Sequence, residues 1–186
     1  MGTASEPKPV KLFVALLAAD NDLFSRVENS LRVLFGPIDS ASPTLPWSGS
    51  DYYESEMGRG LSRRFLSFER LTSPGALAEI KRHAYDVEDD YWRAEGPGRR
   101  RSVNIDPGYI DAGKVVLAST KGAGRRIYLG SGIYSEIALL YHGRGVSFLR
   151  LHVCRLPLAR NHGFSYRYTR PISGTSNTLI VTPQRC

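Results

Sequence analysis

The sequence predicts one domain of the α+β or α/β class, with a ferredoxin-like β-α-β-β-α-β core followed by further antiparallel strands. Its 186 residues, 41% hydrophobic and 23% charged, match an ordinary globular protein that can bury a core. Apolar runs of strand length alternate with two segments of helical periodicity up to residue 110. Residues 101–141 then add short β-type runs separated by glycine-containing turn signals.

The first unit is a strand followed by a helix. Residues 11–19, KLFVALLAA, form a continuous apolar run that is typical of a buried central strand. Asp20 offers an N-cap side chain, and Gly36 followed by Pro37 ends the helix. The apolar stripe between them has helical spacing and comprises Leu23, Phe24, Val27, Leu31, Leu34 and Phe35.

The second unit repeats this order. Residues 37–60 are rich in proline and serine and predict an extended segment or an edge strand. Residues 63–71, RRFLSFERL, alternate as a strand does. Ser73 as N-cap and Pro74 at the first helical position begin a second helix. The apolar stripe of that helix comprises Leu77, Ile80, Ala84, Val87 and Tyr91.

Residues 101–141 carry the densest β signal and three turn signals. We interpret Asp106-Pro107-Gly108 as a type II turn that follows a strand, because proline and then glycine suit its two central positions. The competing interpretation places the Asp106 carboxylate at the mouth of a site. Residues 122–124, Gly-Ala-Gly, and Ser131-Gly132 are predicted to close the later hairpins.

The charge pattern divides the chain into three parts. We predict a flexible leader over residues 1–9, a globular domain over 10–145, and a basic, acid-free tail over 146–186. Of the 25 lysines and arginines, seven arginines fall within residues 137–186, which leaves 18 basic and 18 acidic groups before them. The abrupt loss of acids and lysines near residue 146 suggests that the tail is aberrant through a frameshift, or disordered.

The composition also indicates the cellular compartment in which the protein is expected. The two cysteines, Cys154 and Cys186, lie in the tail, so no disulfide framework organises the domain. The longest apolar run is far shorter than the roughly 20 residues that span a bilayer. We therefore predict a cytoplasmic protein without a membrane partner. Zinc-ligand spacings and a nucleophile elbow do not occur in the sequence, and no metal site is predicted.

The strongest candidate for a binding site is a basic cluster at the end of a predicted hairpin. Lysine, hydroxyl and arginine side chains beside flexible glycines suit an anion such as a phosphate or a carboxylate. A solvated hairpin tip without a ligand is the competing interpretation. The candidate ligands to the anion are Lys114, Ser119, Thr120, Lys121, Arg125, Arg126 and, nearby, Asp106.

A second cluster combines carboxylates with aromatic rings. Such a group can form an acid–base pair or a site for a hard cation, although a solvated loop with buried tyrosine rings explains the same pattern. Its members are Asp51, Tyr52, Tyr53, Glu54 and Glu56. Neither cluster identifies a reaction or a cofactor.

Several segments between residues 9 and 141 together resemble a bacterial family catalogued as domain of unknown function 4416. They are PVKLFVALL, FGPID, DYYESEMG, RRFLSFERL, VNIDPGYI, KVVLASTK and RRIYLGSGIYSEIAL. The resemblance implies no activity or catalytic residue. Some relatives are labelled GTP-binding proteins, but the G-x-x-x-x-G-K-[ST] loop is absent from this sequence.

Two functions remain as hypotheses. The first is binding of a small phosphate- or carboxylate-bearing ligand at the hairpin formed by residues 114–126. The second is an RNA-binding or ribonucleoprotein-associated module that uses the same cations, with Tyr109, Tyr128 and Tyr134 as stacking surfaces. The neutral charge of residues 1–136 disfavours the second, since nucleic-acid affinity depends on many cations that release counterions.

Overall fold

The computed structural model describes residues 2–47, 53–95, 98–142 and 145–148, and shows a mixed α+β domain. Three α-helices occur in these residues: α1 (Asn21–Phe35), α2 (Glu54–Met57) and α3 (Leu77–Asp90), the last preceded by a 3-10 turn (Pro74–Ala76). The strands are β1 (Val10–Ala18), β2 (Ile38–Ala41), β3 (Leu45–Pro46), β4 (Ser62–Thr72), β5 (Arg93–Glu95), β6 (Gly98–Arg100), β7 (Val103–Ile110), β8 (Lys114–Ser119), β9 (Ile127–Gly130), β10 (Ile133–His142) and β11 (Gly145–Phe148).

Nine of the described strands form one antiparallel sheet. Its main path runs β11-β10-β8-β7-β1-β4-β2, while β3 pairs with β4 and β9 pairs with β10. Strands β5 and β6 form a separate hairpin. The first strand lies inside the sheet between β7 and β4, as its uninterrupted apolar sequence predicts. The prediction of an α+β domain with an antiparallel sheet is therefore confirmed.

Helices α1 and α3 pack through their apolar stripes against β1, β4 and β7. Asp20 caps α1 by accepting a hydrogen bond from the Asp22 N–H, and Gly36 ends the helix at φ 91°, which favours glycine. The predicted stripe of α1 was wrong at one residue: Leu34 is 43% exposed, although Leu31 and Phe35 on either side of it are buried. Tyr91, the last residue of the α3 stripe, is partly buried against the same core.

The interpretation of Asp106-Pro107-Gly108 as a turn was wrong, because these residues lie within β7. They pair with Ala15, Val14 and Phe13 of β1 in unbroken register. A Cβ on Gly108 would lie 2.4 Å from the Val116 carbonyl oxygen and 2.7 Å from the Phe13 ring. Glycine is therefore required here by close cross-strand packing, and not by a turn conformation.

Pro107 also explains where the pairing between β7 and β8 stops. The pairing of β7 with β8 covers only residues 108–110 and 115–117. Proline has no N–H to donate, and alternate residues of an antiparallel strand direct their backbone groups to the same neighbour. The backbone groups of Ile105 and Pro107 thus point away from β1, towards the part of the β7 edge that β8 does not cover. Beyond Gly108 the two strands separate, and the polar groups of Ile105 need other partners.

The ends of the chain are described only in part. Residues 2–9 precede β1 as exposed chain without a regular element. Strand β11 pairs with β10 across the boundary predicted at residue 145. The rest of the predicted tail, residues 149–186, lies outside the described residues. Among the described residues, no helix is long and apolar enough to cross a membrane.

Candidate functional site

A polar cleft of about 140 Å³ lies where β7 and β8 separate. Its first wall carries side chains from α3 and from the start of β7: Lys81, Tyr85, Arg101, Asn104 and Asp106. Its second wall carries the end of β8 and the segments beside it: Leu117, Ala118, Ser119, Thr120, Lys121, Arg126 and Glu136. Tyr53 completes the lining. Pockets for drug-sized ligands measure roughly 300–1,000 Å³, so this cleft suits a small molecule or one group of a larger one.

Two charged side chains of α3 bind the backbone that β8 leaves unpaired. The Lys81 ammonium donates to the Ile105 carbonyl at 2.5 Å, and the Ile105 N–H donates to Glu88 Oε1 at 2.6 Å. Both side chains are almost fully buried, with 3% and 2% exposed. They replace the hydrogen bonds that a neighbouring strand would have supplied. Lys81 and Glu88 therefore have a structural role at the back of the cleft.

Lys81 also holds Asp106 in its ionised form. The Lys81 ammonium lies 3.2 Å from Asp106 Oδ1, and Asn104 donates to Asp106 Oδ2 at 2.7 Å. Burial alone would raise the pKa of Asp106, but Lys81 and Arg63 outweigh it and the pKa falls below its usual value. Burial alone would likewise lower the pKa of Lys81, yet Asp106 and Glu88 raise it. At neutral pH both groups are charged.

Glu88 behaves differently. Burial raises its pKa, and the attraction of Lys81 and Arg101 offsets that effect only in part. Arg101 joins the two sides of this network: its guanidinium lies 3.2 Å from Glu88, 2.7 Å from Glu56 and 3.0 Å from Asn104 Oδ1. Burial lowers the pKa of Arg101, but the hydrogen bond to Glu56 and the charge of Glu88 raise it above its ordinary value.

The second wall combines hydroxyls with an ion pair. Ser119 Oγ accepts a hydrogen bond from the Lys121 N–H at 3.1 Å, which fixes the chain as it leaves β8. Arg126 Nε lies 2.8 Å from Glu136 Oε2, and each side chain is 8% exposed. Arg126 also donates to the Lys121 carbonyl at 3.1 Å. The ion pair thus supports the loop that presents Thr120 and Lys121 to the cleft.

These charges define what the cleft can do. Four lining side chains are cationic and two are anionic. Glu88 and Glu56 bind Lys81 and Arg101, and Arg63 acts on Asp106, so the group with its supporting residues has five cations and four carboxylates. Because Asp106 is held ionised and Lys81 protonated, neither is poised to exchange a proton near pH 7. The arrangement suits recognition of a polar ligand by fixed charges and hydroxyls.

The structure brings five of the seven predicted anion-binding residues to this cleft. Ser119, Thr120, Lys121, Arg126 and Asp106 line it. Lys114 lies at the opposite end of β8, where its ammonium is 2.5 Å from Asp111.

Arg125 is exposed beside the loop and is not among the lining residues. The hydroxyls and Lys121 therefore face α3 and β7 across the cleft, and not Lys114 across the hairpin.

The second predicted cluster does not act as one group. Tyr53 is buried and lines the cleft. Glu54 lies 3.8 Å from Arg59, whereas Glu56 binds Arg101.

Asp51 and Tyr52 lie outside the described residues. Of this cluster, Tyr53 touches the cleft and Glu56 supports it through Arg101.

Four residues of the polar network around the cleft were missed by the sequence analysis: Lys81, Glu88, Arg101 and Asn104. On a helix, charged residues beside an apolar stripe are usually solvated, so the residue types of α3 gave no sign of a buried role. A signal did exist, since Lys81, Tyr85 and Glu88 follow one another at spacings of four and three and so share one face. That face lies beside the buried stripe, so its polar side chains could have been predicted to reach the core.

Comparisons with known proteins give one match. The sequence model described as "Domain of unknown function (DUF4416)" matches residues 8–152. The match extends seven residues beyond the domain boundary predicted at residue 145 and includes β11. No curated protein and no solved structure matches the chain.

Proposed function

This chain belongs to the DUF4416 family, and from the geometry of its cleft we propose that it binds a small ligand bearing a phosphate or a carboxylate. The observation that carries the proposal is the gap between β7 and β8, where Ser119, Thr120 and Lys121 face a wall of buried charged groups. Lysine and hydroxyl donors at the end of a strand make charge-assisted hydrogen bonds to an anion. The size of the cleft restricts the bound part to a small group.

In this proposal Lys121 contacts the anion from the end of β8, beside the two hydroxyls. Lys81, Arg101 and Arg126 each bind a carboxylate within 3.2 Å, so they contribute positive potential more than direct coordination. Thr120 supplies a hydroxyl from an exposed position at the mouth. Ser119 positions Lys121 through the hydrogen bond to its N–H.

A thermal-shift panel of nucleotides, sugar phosphates and small carboxylates on the full chain tests the proposal. An anion that binds the cleft raises the melting temperature of the wild type. Charge-assisted contacts contribute roughly 1.5–3 kcal/mol, so Lys121→Ala should weaken binding by about tenfold or more. Arg125→Ala is the matched control, because Arg125 is a neighbouring cation that does not line the cleft. If no anion stabilises the wild type, or if Lys121→Ala binds as tightly, the proposal fails.

The RNA-binding alternative remains a hypothesis with less support. Of its three stacking candidates, Tyr128 is 59% exposed, whereas Tyr109 packs into a core cluster. Tyr134 packs on Tyr128, with ring centroids 5.1 Å apart, and covers Gly122. A flat row of exposed rings, which single-stranded RNA needs, is therefore not supported by these three positions.

Two finer proposals concern the fold and the location. We propose that β1, α1, β2, β4, α3 and β7 form a ferredoxin-like core. The spatial order β7-β1-β4-β2, antiparallel throughout, supports this proposal. A cytoplasmic location also remains a proposal, supported by the absence of cysteine from residues 1–153.

A further inference from the structure

Glu136 presents to the cleft a carboxylate oxygen that no described residue satisfies. Its side chain is 8% exposed and lines the cleft. Its Oε2 accepts from Arg126 at 2.8 Å, and none of the described donors reaches Oε1. Unlike the fully buried unpaired atoms elsewhere in the described residues, Oε1 stays accessible, so a donor on a ligand bound in the cleft can reach it.

Asp106 offers a second acceptor on the other wall. Lys81 contacts its Oδ1 and Asn104 donates to its Oδ2. Each carboxylate oxygen has two lone pairs, so these contacts leave capacity for a further donor. The cleft therefore holds two carboxylates that can accept, in addition to the hydroxyls and Lys121 that can bind an acid.

The mixture of charges restricts the ligand further. Four cations line the cleft and Arg63 acts on Asp106 from behind it, while four carboxylates lie in and behind the walls. A ligand that carries both signs finds an opposite charge for each of its ends and also gives Glu136 a donor.

From these contacts we infer that the ligand is a small zwitterion, with its ammonium group at Glu136 and Asp106 and its acid group at Ser119, Thr120 and Lys121. This inference rests on the proposed function and narrows it from anions in general to acids that also carry an ammonium. The ammonium then lies between Glu136 on the second wall and Asp106 on the first, and the acid group lies against the end of β8. Each charged end of the ligand therefore has at least one partner of opposite charge.

Matched pairs of probes test the inference on the full chain. Each pair differs only in the replacement of an ammonium by hydrogen: phosphoethanolamine with ethyl phosphate, β-alanine with propionate, and glycine with acetate. We expect the ammonium member of at least one pair to bind about tenfold or more tightly than its partner, in thermal shift and in calorimetry. In Glu136→Gln this ratio should fall towards one, because the amide keeps the shape and loses the charge.

The controls separate binding from folding. Glu69→Gln removes a carboxylate that is exposed on β4 and outside the cleft, so it should retain the wild-type ratio. If Glu136→Gln is unstable because it leaves Arg126 unpaired, the double variant Arg126→Gln/Glu136→Gln removes the pair together and should also lose the ratio.

The outcomes distinguish the two proposals. Equal binding within each pair, or tighter binding of the members without an ammonium, overturns the zwitterion inference and leaves the anion site standing. Absence of binding by every probe and by the wider anion panel overturns both. A ratio that is unchanged in the Glu136 variants also refutes the inference, because it places the ammonium elsewhere.

Discussion

Replacement of Glu88 tests whether this side chain stabilises the fold as a hydrogen-bond acceptor or as a charge. It accepts the Ile105 N–H at 2.6 Å and is 2% exposed. Glu88→Leu keeps most of the volume and leaves that buried N–H without a partner. An unsatisfied buried donor costs about 1–3 kcal/mol, so we expect the free energy of unfolding to fall by that amount. This is a large part of the roughly 5–15 kcal/mol typical of a domain.

Glu88→Gln is the matched control, because the amide oxygen can still accept from Ile105. Burial raises the pKa of Glu88 despite its cationic neighbours, so ionisation of this group opposes folding. A raised pKa gives stability that is complete below the ordinary value of 4.5 and is lost as the pH rises through the folded value. Glu88→Gln should therefore stay within about 1 kcal/mol of the wild type, and the difference should shift in favour of Gln as the pH rises.

Urea unfolding, followed by tryptophan fluorescence at several pH values, measures both variants against the wild type. Equal losses for Glu88→Leu and Glu88→Gln would refute the reasoning, since the charge would then matter more than the acceptor. If Glu88→Leu leaves the free energy of unfolding unchanged, the Ile105 N–H must have another hydrogen-bond partner. Either result would remove the role of backbone acceptor assigned to this side chain.

Two further predictions concern β7. Gly108→Ala places a methyl group against a carbonyl and a ring, so it should destabilise the fold by about 3 kcal/mol or more in the same assay, whereas Gly113→Ala, with ample space, should be nearly neutral. If both cost the same, close packing is not the reason for the glycine. Asp106→Asn should cost about 1.5–3 kcal/mol at neutral pH, because its charged hydrogen bonds are lost. Since the pKa of Asp106 is lowered, this difference should shrink as the pH falls below 3.8, and a constant difference would contradict it.

Much of the fold could be predicted from the sequence because its local signals agree. The apolar run of β1, the Asp20 cap and Gly36 end of α1, and the stripe of α3 each specify an element without reference to the rest of the chain. The Asp106-Pro107-Gly108 prediction was wrong because turn preferences are local, whereas β1 contributes the paired backbone that keeps these residues extended. No single-sequence pattern reveals that Phe13 will cover Gly108.

The candidate site could be predicted only where its residues are close together in the sequence. Ser119, Thr120 and Lys121 could be identified because they follow one another at the end of a strand. Lys81 and Arg101 come from distant parts of the chain and reach the cleft only through the packing of α3 on β7. Lys114 was grouped with the site because it is near in sequence, but the length of β8 separates it from Ser119 by about 16 Å at the usual rise per residue.

Pro107 has a consequence for how a ligand would enter. Because the pyrrolidine ring of Pro107 removes an N–H donor, the β7–β8 ladder lacks one of the hydrogen bonds that would extend it over the gap. The opening is therefore set by covalent structure and exists before any ligand arrives. Binding to such a preorganised site avoids the entropic cost of first separating two strands, so association should proceed in a single fast step. One proline within a strand thus favours an open entrance to the cleft.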